Sequence, residues 1–192
     1  PNSPIDGLRN FNLNHPGGPE PWTMAGEDGR YNVAMVGSYV MGNLYGDFDD
    51  INFVNTFKGH SDYYEGDKET LEIASEWVMN SDFNVIAAHY SGPDKVGHSW
   101  GVTGPEYKEK ILDLDQQVSE LLELTPSNWT VIVTADHGMT EIGSHGSAEA
   151  VTRNVAAIIS GPGILVGAEG SVSQRDLSTL VPLSLGLPFL SL

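Results

Sequence analysis

Two stretches of the chain decide the fold: residues 84–98 are NVIAAHYSGPDKVGH, and residues 130–138 are TVIVTADHG. In each stretch a short apolar run, residues 84–88 or 130–134, predicts a buried strand. The first strand leads into a polar loop predicted over residues 89–98, and the second leads into residues 135–138; both of these segments contain Asp and His. Residues 105–124 lie between them and predict a helix, because Pro105 stands in a first turn, where its missing N–H costs no hydrogen bond. A strand, a helix and another strand in this order favour a parallel sheet covered by helices.

The segments outside this centre extend the same alternation. Residues 31–37 predict a buried strand that ends in glycine, and residues 154–159 predict another strand. Asp67 to Met79 predicts a helix capped by Asp67, and Asp176 to Leu185 predicts a last helix with Pro182 inside it. The apolar positions expected to pack the 67–79 helix and the 105–124 helix into the core are Leu71, Ala74, Trp77, Val78, Ile111, Leu114, Val118, Leu121 and Leu122.

Two segments give no periodic signal. Residues 1–30 are rich in Gly, Pro and Asn, which predicts a loop, and the segment 42–66 has no clear period. The remaining elements follow the order β, α, β, α, β, β, α. The sequence therefore predicts a single α/β domain over residues 1–192, with a mostly parallel central sheet flanked by helices.

Composition and charge restrict the function. The 192 residues are 40% hydrophobic, and no apolar run approaches the roughly 20 residues that span a bilayer. The N-terminus does not resemble a signal peptide, although a removed signal, and with it an extracytoplasmic location, stays open. A net charge of -17, from 26 acidic and 9 basic residues, argues against binding to nucleic acid or anionic lipid. A saline habitat is one explanation of this charge. The Asn128-Trp129-Thr130 glycosylation sequon is interpreted as a chance match.

Three short segments concentrate metal-ligand residue types: 93–98, 135–138 and 143–146. The chain has no cysteine, so any metal must bind to imidazole nitrogen and carboxylate oxygen, a donor set that suits Zn²⁺ or a similar divalent ion. A single His beside glycine is commonly a surface loop residue, but three such segments near strand ends favour one site. The candidate metal ligands are Asp94, His98, Asp136, His137 and His145.

Other polar residues receive weaker assignments. His15 and His60 lie in polar segments and are assigned no role, whereas a structural role is favoured for His89. Lys95 could contact phosphate, but a solvated lysine is the preferred interpretation.

The wording of these segments resembles the alkaline phosphatase superfamily. The matching stretches are SGPDKVGH at 91–98, TADHGM at 134–139 and GSHG at 143–146. They are similar to the branch of type I phosphodiesterases, nucleotide pyrophosphatases and GPI ethanolamine-phosphate transferases, and the resemblance covers roughly residues 30–190. It implies a metal-dependent hydrolase of phosphate esters, or a phosphoryl-group transferase, with two divalent ions, most simply Zn²⁺.

The resemblance also implies which residues hold each ion. Asp94, His98 and His145 would hold one ion, and Asp136 and His137 would hold the other. Two ions about 4 Å apart can stabilise both the attacking and the leaving oxygen of a phosphoryl displacement.

The chain departs from the resemblance at its start. Family members complete the second metal site with an Asp after the first strand and with a Thr or Ser nucleophile, and neither has a match here. The segment around Ile5 and Asp6 looks like the stretch just downstream of that nucleophile. We therefore expect an N-terminally truncated domain with impaired activity, in which neither Ser38 nor Thr140 has a nucleophile's context. Loss of the first strand would expose a sheet edge, so association with a second copy is expected.

Two alternatives remain open from the sequence. The first is a relative of phosphoglycerate mutases or sulfatases, which use a similar Asp-His-Gly loop. The second is a non-catalytic metal-binding domain. The sequence leaves open the ester, the metal and the choice between water and an alcohol as acceptor.

Overall fold

The computed structural model describes residues 21–80 and 82–187. Within that part, seven helices and five strands follow each other along the chain. The helices are α1 (Pro21–Asp28), α2 (Tyr39–Tyr45), α3 (Glu65–Asn80), α4 (Gly92–Trp100), α5 (Pro105–Leu124), α6 (Ala150–Arg153) and α7 (Gln174–Ser184). The strands are β1 (Val33–Gly37), β2 (Ile51–Asn55), β3 (Val85–Ala88), β4 (Val131–Thr134) and β5 (Ala157–Ser160).

A three-stranded parallel sheet forms the centre of the fold, with β1 between β2 and β3. Val33 is in register with Ile51 on one side and with Val85 on the other. All five residues of β1 are buried, because neighbouring strands and helices cover it on every side. The predicted α/β class with a parallel sheet flanked by helices is confirmed.

The last two strands lie apart from this sheet. β4 and β5 pair antiparallel, with Val131 opposite Ser160 and Thr134 opposite Ala157. Strands are present at all four predicted positions, 31–37, 84–88, 130–134 and 154–159. The first three are shortened, and the fourth ends one residue later than predicted, at Ser160. The difference from the prediction is that the final pair makes its own two-stranded sheet.

The two segments that give no periodic signal contain regular elements. The loop predicted over residues 1–30 is wrong at α1, and residues 1–20 lie outside the described part. The segment 42–66 contains the end of α2 and all of β2. These elements are short, and their apolar residues pack against β1 without a repeating period, as in the core cluster of Ala25, Val33, Met35, Tyr45, Ile51, Val85 and Leu187.

Helix α3 begins earlier than predicted, because Asp62 rather than Asp67 satisfies its first amides. The Asp62 carboxylate accepts hydrogen bonds from the N–H groups of Tyr64, Glu65 and Gly66 at 2.8–3.2 Å. Asp67 is buried within the first turn instead. On the predicted apolar face of α3, Ala74 is fully buried, while Leu71, Trp77 and Val78 are half-buried.

Helix α5 has the predicted bounds but not the predicted packing. Ile111 and Leu122 are exposed at 39% and 40%, so the expectation that they pack in the core is wrong. The buried side chains of this helix are Lys110 and Gln117. They share a face with the half-buried Leu114, Val118 and Leu121, so polar groups occupy the deepest positions.

None of the helices in residues 21–80 and 82–187 has the length and apolar character needed to cross a membrane.

Candidate metal centre

Helix α4 presents two of the five candidate ligands. The loop predicted over residues 89–98 is wrong from Gly92 onward, because α4 begins there and has Pro93 in its first turn. Asp94 and His98 stand four residues apart and therefore lie on the same face of this helix. The helix follows β3 directly, so both side chains lie beyond the carboxyl end of a parallel strand, where ligands of such sheets collect.

The turn that carries His145 is seated directly on α4. Gly143 has a φ of 80°, and a Cβ on it would lie 1.9 Å from the Gly97 carbonyl oxygen and 3.2 Å from His98 Cα. Within the turn, the Thr140 N–H donates to the Ser144 carbonyl at 2.8 Å, and the Ser144 N–H donates to Thr140 Oγ1 at 3.0 Å. The close approach of the two backbones therefore requires glycine at 143 and brings His145 to His98.

The third segment follows β4. The His137 N–H donates to Asp136 Oδ1 at 3.0 Å, so Asp136 turns the chain locally. Gly138 donates its N–H to the Thr152 carbonyl at 3.0 Å and leaves no room for a Cβ, which would lie 2.0 Å from the Val151 carbonyl oxygen. His137 Nδ1 lies 3.1 Å from the Gly138 carbonyl oxygen. A hydrogen bond donated there by Nδ1 leaves Nε2 of the neutral ring free to act as a ligand.

Three ligand atoms from two segments form a small triangle. Asp94 Oδ1 lies 3.3 Å from His145 Nε2 and 3.5 Å from His98 Nε2, and the two imidazole nitrogens are 3.0 Å apart. Ligands bound tetrahedrally to zinc at about 2.0–2.1 Å are separated from one another by about 3.3 Å. Asp94 Oδ1 is also buried and has no hydrogen-bond partner among the described residues. The triangle has the size and the donor set that a divalent ion requires.

The remaining two candidates lie against this triangle. The rings of His137 and His145 are stacked, with centroids 3.9 Å apart and planes at 22°. Ligand atoms of Asp94, His137 and His145 all lie within 4.8 Å of one another. Asp136 is more peripheral, since it is exposed and its Oδ2 lies 3.6 Å from His137 Nε2. The structure thus brings together all five residues that the sequence singled out.

The electrostatic surroundings favour the neutral form of His145. Partial burial has the largest effect and lowers the pKa of His145, and the neighbouring His137 lowers it further. Together they outweigh the Asp94 carboxylate, which raises this pKa. A metal ligand must be deprotonated, so the lowered pKa favours the form of His145 that can bind an ion.

The two hydroxyl groups considered as nucleophiles are already engaged. Thr140 Oγ1 accepts the Ser144 N–H inside the turn. Ser38 is buried at 5% exposure, and its Oγ lies 3.3 Å from His89 Nδ1. His89 therefore joins the ends of β1 and β3, which agrees with the structural role favoured for it.

Two other assignments can be compared with the structure. The interpretation of Lys95 as a solvated lysine is wrong: its side chain is 10% exposed, and its Nζ lies 3.9 Å from Asp62 Oδ2 and 4.8 Å from the centre of the Phe57 ring. His60 is exposed and packs against Phe57. His15 and Asp6 lie outside the described residues.

Two residues near the site were missed from the sequence. Tyr107 packs close to Gly97, and its pKa is raised by burial and by the Asp94 charge, so its phenol is neutral beside the carboxylate. Lys110 is fully buried beneath the start of α4. The available signal was its spacing: Lys110 and Gln117 fall on the same helical face as Leu114 and Leu121, where polar residues need buried partners.

Comparison with known proteins identifies relatives for most of the chain. The model of the family "Type I phosphodiesterase / nucleotide pyrophosphatase" matches residues 17–162. GPI ethanolamine phosphate transferase 2 of Yarrowia lipolytica is 31% identical over 140 residues, which are 72% of this chain and 16% of that protein. The catalytic subunit of GPI ethanolamine phosphate transferase 3 of Mus musculus is 28% identical over 162 residues, 81% of this chain and 15% of that protein. The chain thus spans about a sixth of the length of these relatives.

Among solved structures, an inactive variant of murine ectonucleotide pyrophosphatase/phosphodiesterase 5 in complex with AMP is similar, with a TM-score of 0.45 and 20% identity. The similarity covers 62% of this chain and 32% of that one.

Proposed function

Because this chain belongs to the type I phosphodiesterase/nucleotide pyrophosphatase family, we propose that it forms the metal-binding part of an enzyme that hydrolyses or transfers phosphate esters. Asp94, His98 and His145 hold the first divalent ion, most simply Zn²⁺, and Asp136 and His137 contribute to a second. The observation that carries this proposal is the triangle of ligand atoms, with separations of 3.0, 3.3 and 3.5 Å around a buried carboxylate oxygen that lacks a hydrogen-bond partner among the described residues.

Each residue of the site would have a separate role in binding the ion and the substrate. A bound divalent ion supplies the positive charge that attracts a phosphate ester and stabilises negative charge on its oxygens. Asp94 and the imidazoles of His98 and His145 would hold that charge beside α4. His137 would offer Nε2 to the second ion, while the Gly138 carbonyl holds its ring orientation. In a chain of net charge -17, this local positive charge is what makes an anionic substrate acceptable.

We further propose that the substrate is a phosphodiester and that turnover by this chain alone is impaired. The family whose model matches is described as type I phosphodiesterase, and a phosphodiester is the substrate class that this description names. Impaired turnover is supported by the hydrogen bonds of the two hydroxyls considered as nucleophiles, because Ser38 Oγ lies against His89 and Thr140 Oγ1 accepts the Ser144 N–H. The same observation favours a second candidate function, a metal-binding domain without catalysis.

Metal content and turnover, measured on the same samples, test the proposal. Elemental analysis of zinc-replete protein should give near one zinc per chain, and His98→Ala and His145→Ala should each lose it. His60→Ala is the matched control, because His60 is an exposed histidine outside the three segments, and it should retain the metal.

Hydrolysis of bis-p-nitrophenyl phosphate then separates the two functions. Slow turnover that disappears with the metal supports an impaired enzyme, whereas metal without turnover supports the binding domain. Zinc at background level in the wild-type protein would refute the site itself.

A further inference from the structure

A buried ion pair lies directly beneath the helix that carries Asp94 and His98. Lys110 of α5 has no exposed surface, and its Nζ lies 2.8 Å from Asp67 Oδ2 of α3 and 2.7 Å from Asp113 Oδ2. Asp67 is 3% exposed. The Lys110 ammonium also stands 4.6 Å from the centre of the Tyr64 ring, and Gln117 Nε2 donates to Asp113 Oδ2 at 2.9 Å. The lysine is therefore fully partnered, and two helices meet at its charge.

The same Asp67 carboxylate caps α4. The N–H groups of Ser91 and Gly92 donate to Asp67 Oδ1 at 3.0 and 3.2 Å, and the Gly92 nitrogen also lies 3.2 Å from Oδ2. Ser91 holds the N-cap position, but its own side chain makes no capping hydrogen bond. An acceptor 24 residues away in sequence thus satisfies the first amides of α4 and places negative charge at the positive end of the helix dipole.

The start of α4 packs so closely on the Asp67–Lys110 pair that Gly92 has no room for a side chain. A Cβ at Gly92 would lie 2.3 Å from Asp67 Oδ2 and 2.4 Å from Lys110 Cε. The α4 backbone therefore rests directly on both members of the pair, two residues before Asp94. A shift of the pair would move the start of α4 and, with it, both ligands that α4 carries.

We infer that Asp67 and Lys110 are positioning residues, which fix α4 so that Asp94 and His98 meet His145 at the spacing an ion needs. This inference rests on the proposed function for the identity of the ligand, but the contacts themselves are independent of it. A buried ion pair is weak evidence for stability, since apolar replacements of similar volume are often as stable. The Asp67 carboxylate makes charge-assisted hydrogen bonds to two backbone amides at the start of α4, and these bonds specify one position of that helix. This role explains why the pair is charged.

Zinc affinity measured on folded protein tests the positioning role. Asp67→Asn keeps an oxygen acceptor but removes the charge, and Lys110→Met keeps most of the side-chain length without it. Each should weaken zinc binding about 10- to 100-fold in a chelator competition, as loss of groups that orient metal ligands does. The double variant should lose no more zinc affinity than the weaker-binding single variant, because both changes disrupt the same ion pair beneath α4.

Lys58→Met is the matched control, because Lys58 pairs with Glu69 on the same helix α3 and is 48% exposed. Its zinc affinity should stay within about twofold of the wild type. Circular dichroism establishes that each variant is folded under the titration conditions. If Lys110→Met alone does not fold, the double variant, which leaves neither member of the buried pair charged, replaces it with the same expected loss. A folded Asp67→Asn protein, or a folded double variant, with wild-type zinc affinity would overturn the inference.

Amide exchange in metal-free protein separates this inference from the proposed function. The Ser91 and Gly92 amides should exchange at least about tenfold faster in Asp67→Asn than in the wild type, because they lose a charged acceptor. If the wild-type protein binds no zinc, the proposed function fails, and the exchange rates still decide the positioning role. Unchanged exchange at both amides would refute it.

Discussion

Substitution of Gly143 by alanine should damage the candidate metal centre without touching any ligand. The φ of Gly143 is 80°, a conformation that costs an L-residue about 1–2 kcal/mol. The added Cβ would also lie 1.9 Å from the Gly97 carbonyl oxygen, whereas real Cβ contacts are essentially never under 3.0 Å. The backbone carrying His145 must therefore move away from α4 by about 1 Å, a displacement that is large compared with the tolerance of a functional site, about 0.5 Å.

Gly146 provides a closely matched control for this substitution. It flanks His145 on the other side, has a φ of 81°, and a Cβ there would meet nothing within 4 Å. Gly146→Ala therefore carries the same backbone strain without the clash. We expect both variants to lose about 1–2 kcal/mol in urea unfolding from strain alone. Gly143→Ala should additionally lose at least about tenfold in zinc affinity relative to Gly146→Ala.

The assay is a zinc titration with a competing chelator, run beside urea unfolding of the metal-free proteins. Equal zinc affinities for Gly143→Ala and Gly146→Ala would refute the claim that the contact between Gly143 and Gly97 holds His145 in place. Equal unfolding free energies for Gly146→Ala and the wild type would refute the strain argument separately.

Two further predictions concern pH and the core. Because the pKa of His145 is lowered by folding, the unfolded state binds more protons, so its contribution to stability is present above about pH 6.5 and is lost as pH falls below that value. Urea midpoints of metal-free protein between about pH 5 and 8 should show a shallower decline for His145→Gln than for the wild type, and a steeper one would contradict the assignment. Met35→Ala, at a fully buried position of β1, should cost about 2–5 kcal/mol in unfolding free energy. Met79→Ala, at a position 54% exposed, should stay within about 0.5 kcal/mol of the wild type, and similar losses for both would contradict the position of the core.

The parts of the fold that the sequence predicted are those with a strong local signal. The helix 105–124 has Pro105 at its start and Thr125-Pro126 at its end, and the structure gives it those bounds. β1 and β3 are continuous apolar runs, the pattern typical of parallel strands covered on both sides. β1 is buried throughout, whereas β3 is buried at Val85 and half-buried beyond it. In β2, by contrast, the first residue is buried and the other four are half-buried or exposed. Its sequence INFVN therefore carries no buried-strand signal.

The errors at helix starts come from the choice of capping residue. Asp67 was predicted to cap its own helix, whereas it caps α4 from 24 residues away. Local sequence contains a plausible cap in each case, and only the tertiary structure shows which acceptor the amides use. The short helix α4 was not predicted for the same reason, since its start depends on a cap from a distant part of the chain. Its residues 92–100 also include three positions that disfavour a helix interior, Gly92, Pro93 and Gly97.

The residue types of the candidate metal centre were predictable, but their convergence was not. Asp94 and His98 share a helix face, so their proximity follows from local structure once α4 is known. His145 is 47 residues beyond His98, and nothing in local sequence brings its Nε2 to 3.0 Å from that ring.

The glycines beside the ligands supply the missing contacts. Gly143 rests on the Gly97 carbonyl, Gly138 rests on the Val151 carbonyl, and in each case a side chain would separate two backbones that must touch. In this chain a histidine near a glycine is therefore informative for a physical reason: the glycine allows close packing, and the histidine is carried to the place where two segments meet. His145 lies two residues beyond Gly143, which contacts α4, although its direct neighbour Gly146 is as open as Gly59 beside His60: a Cβ on either would meet nothing within 4 Å. The candidate ligand therefore differs from the surface histidine in the contact made by Gly143, which the sequence does not specify.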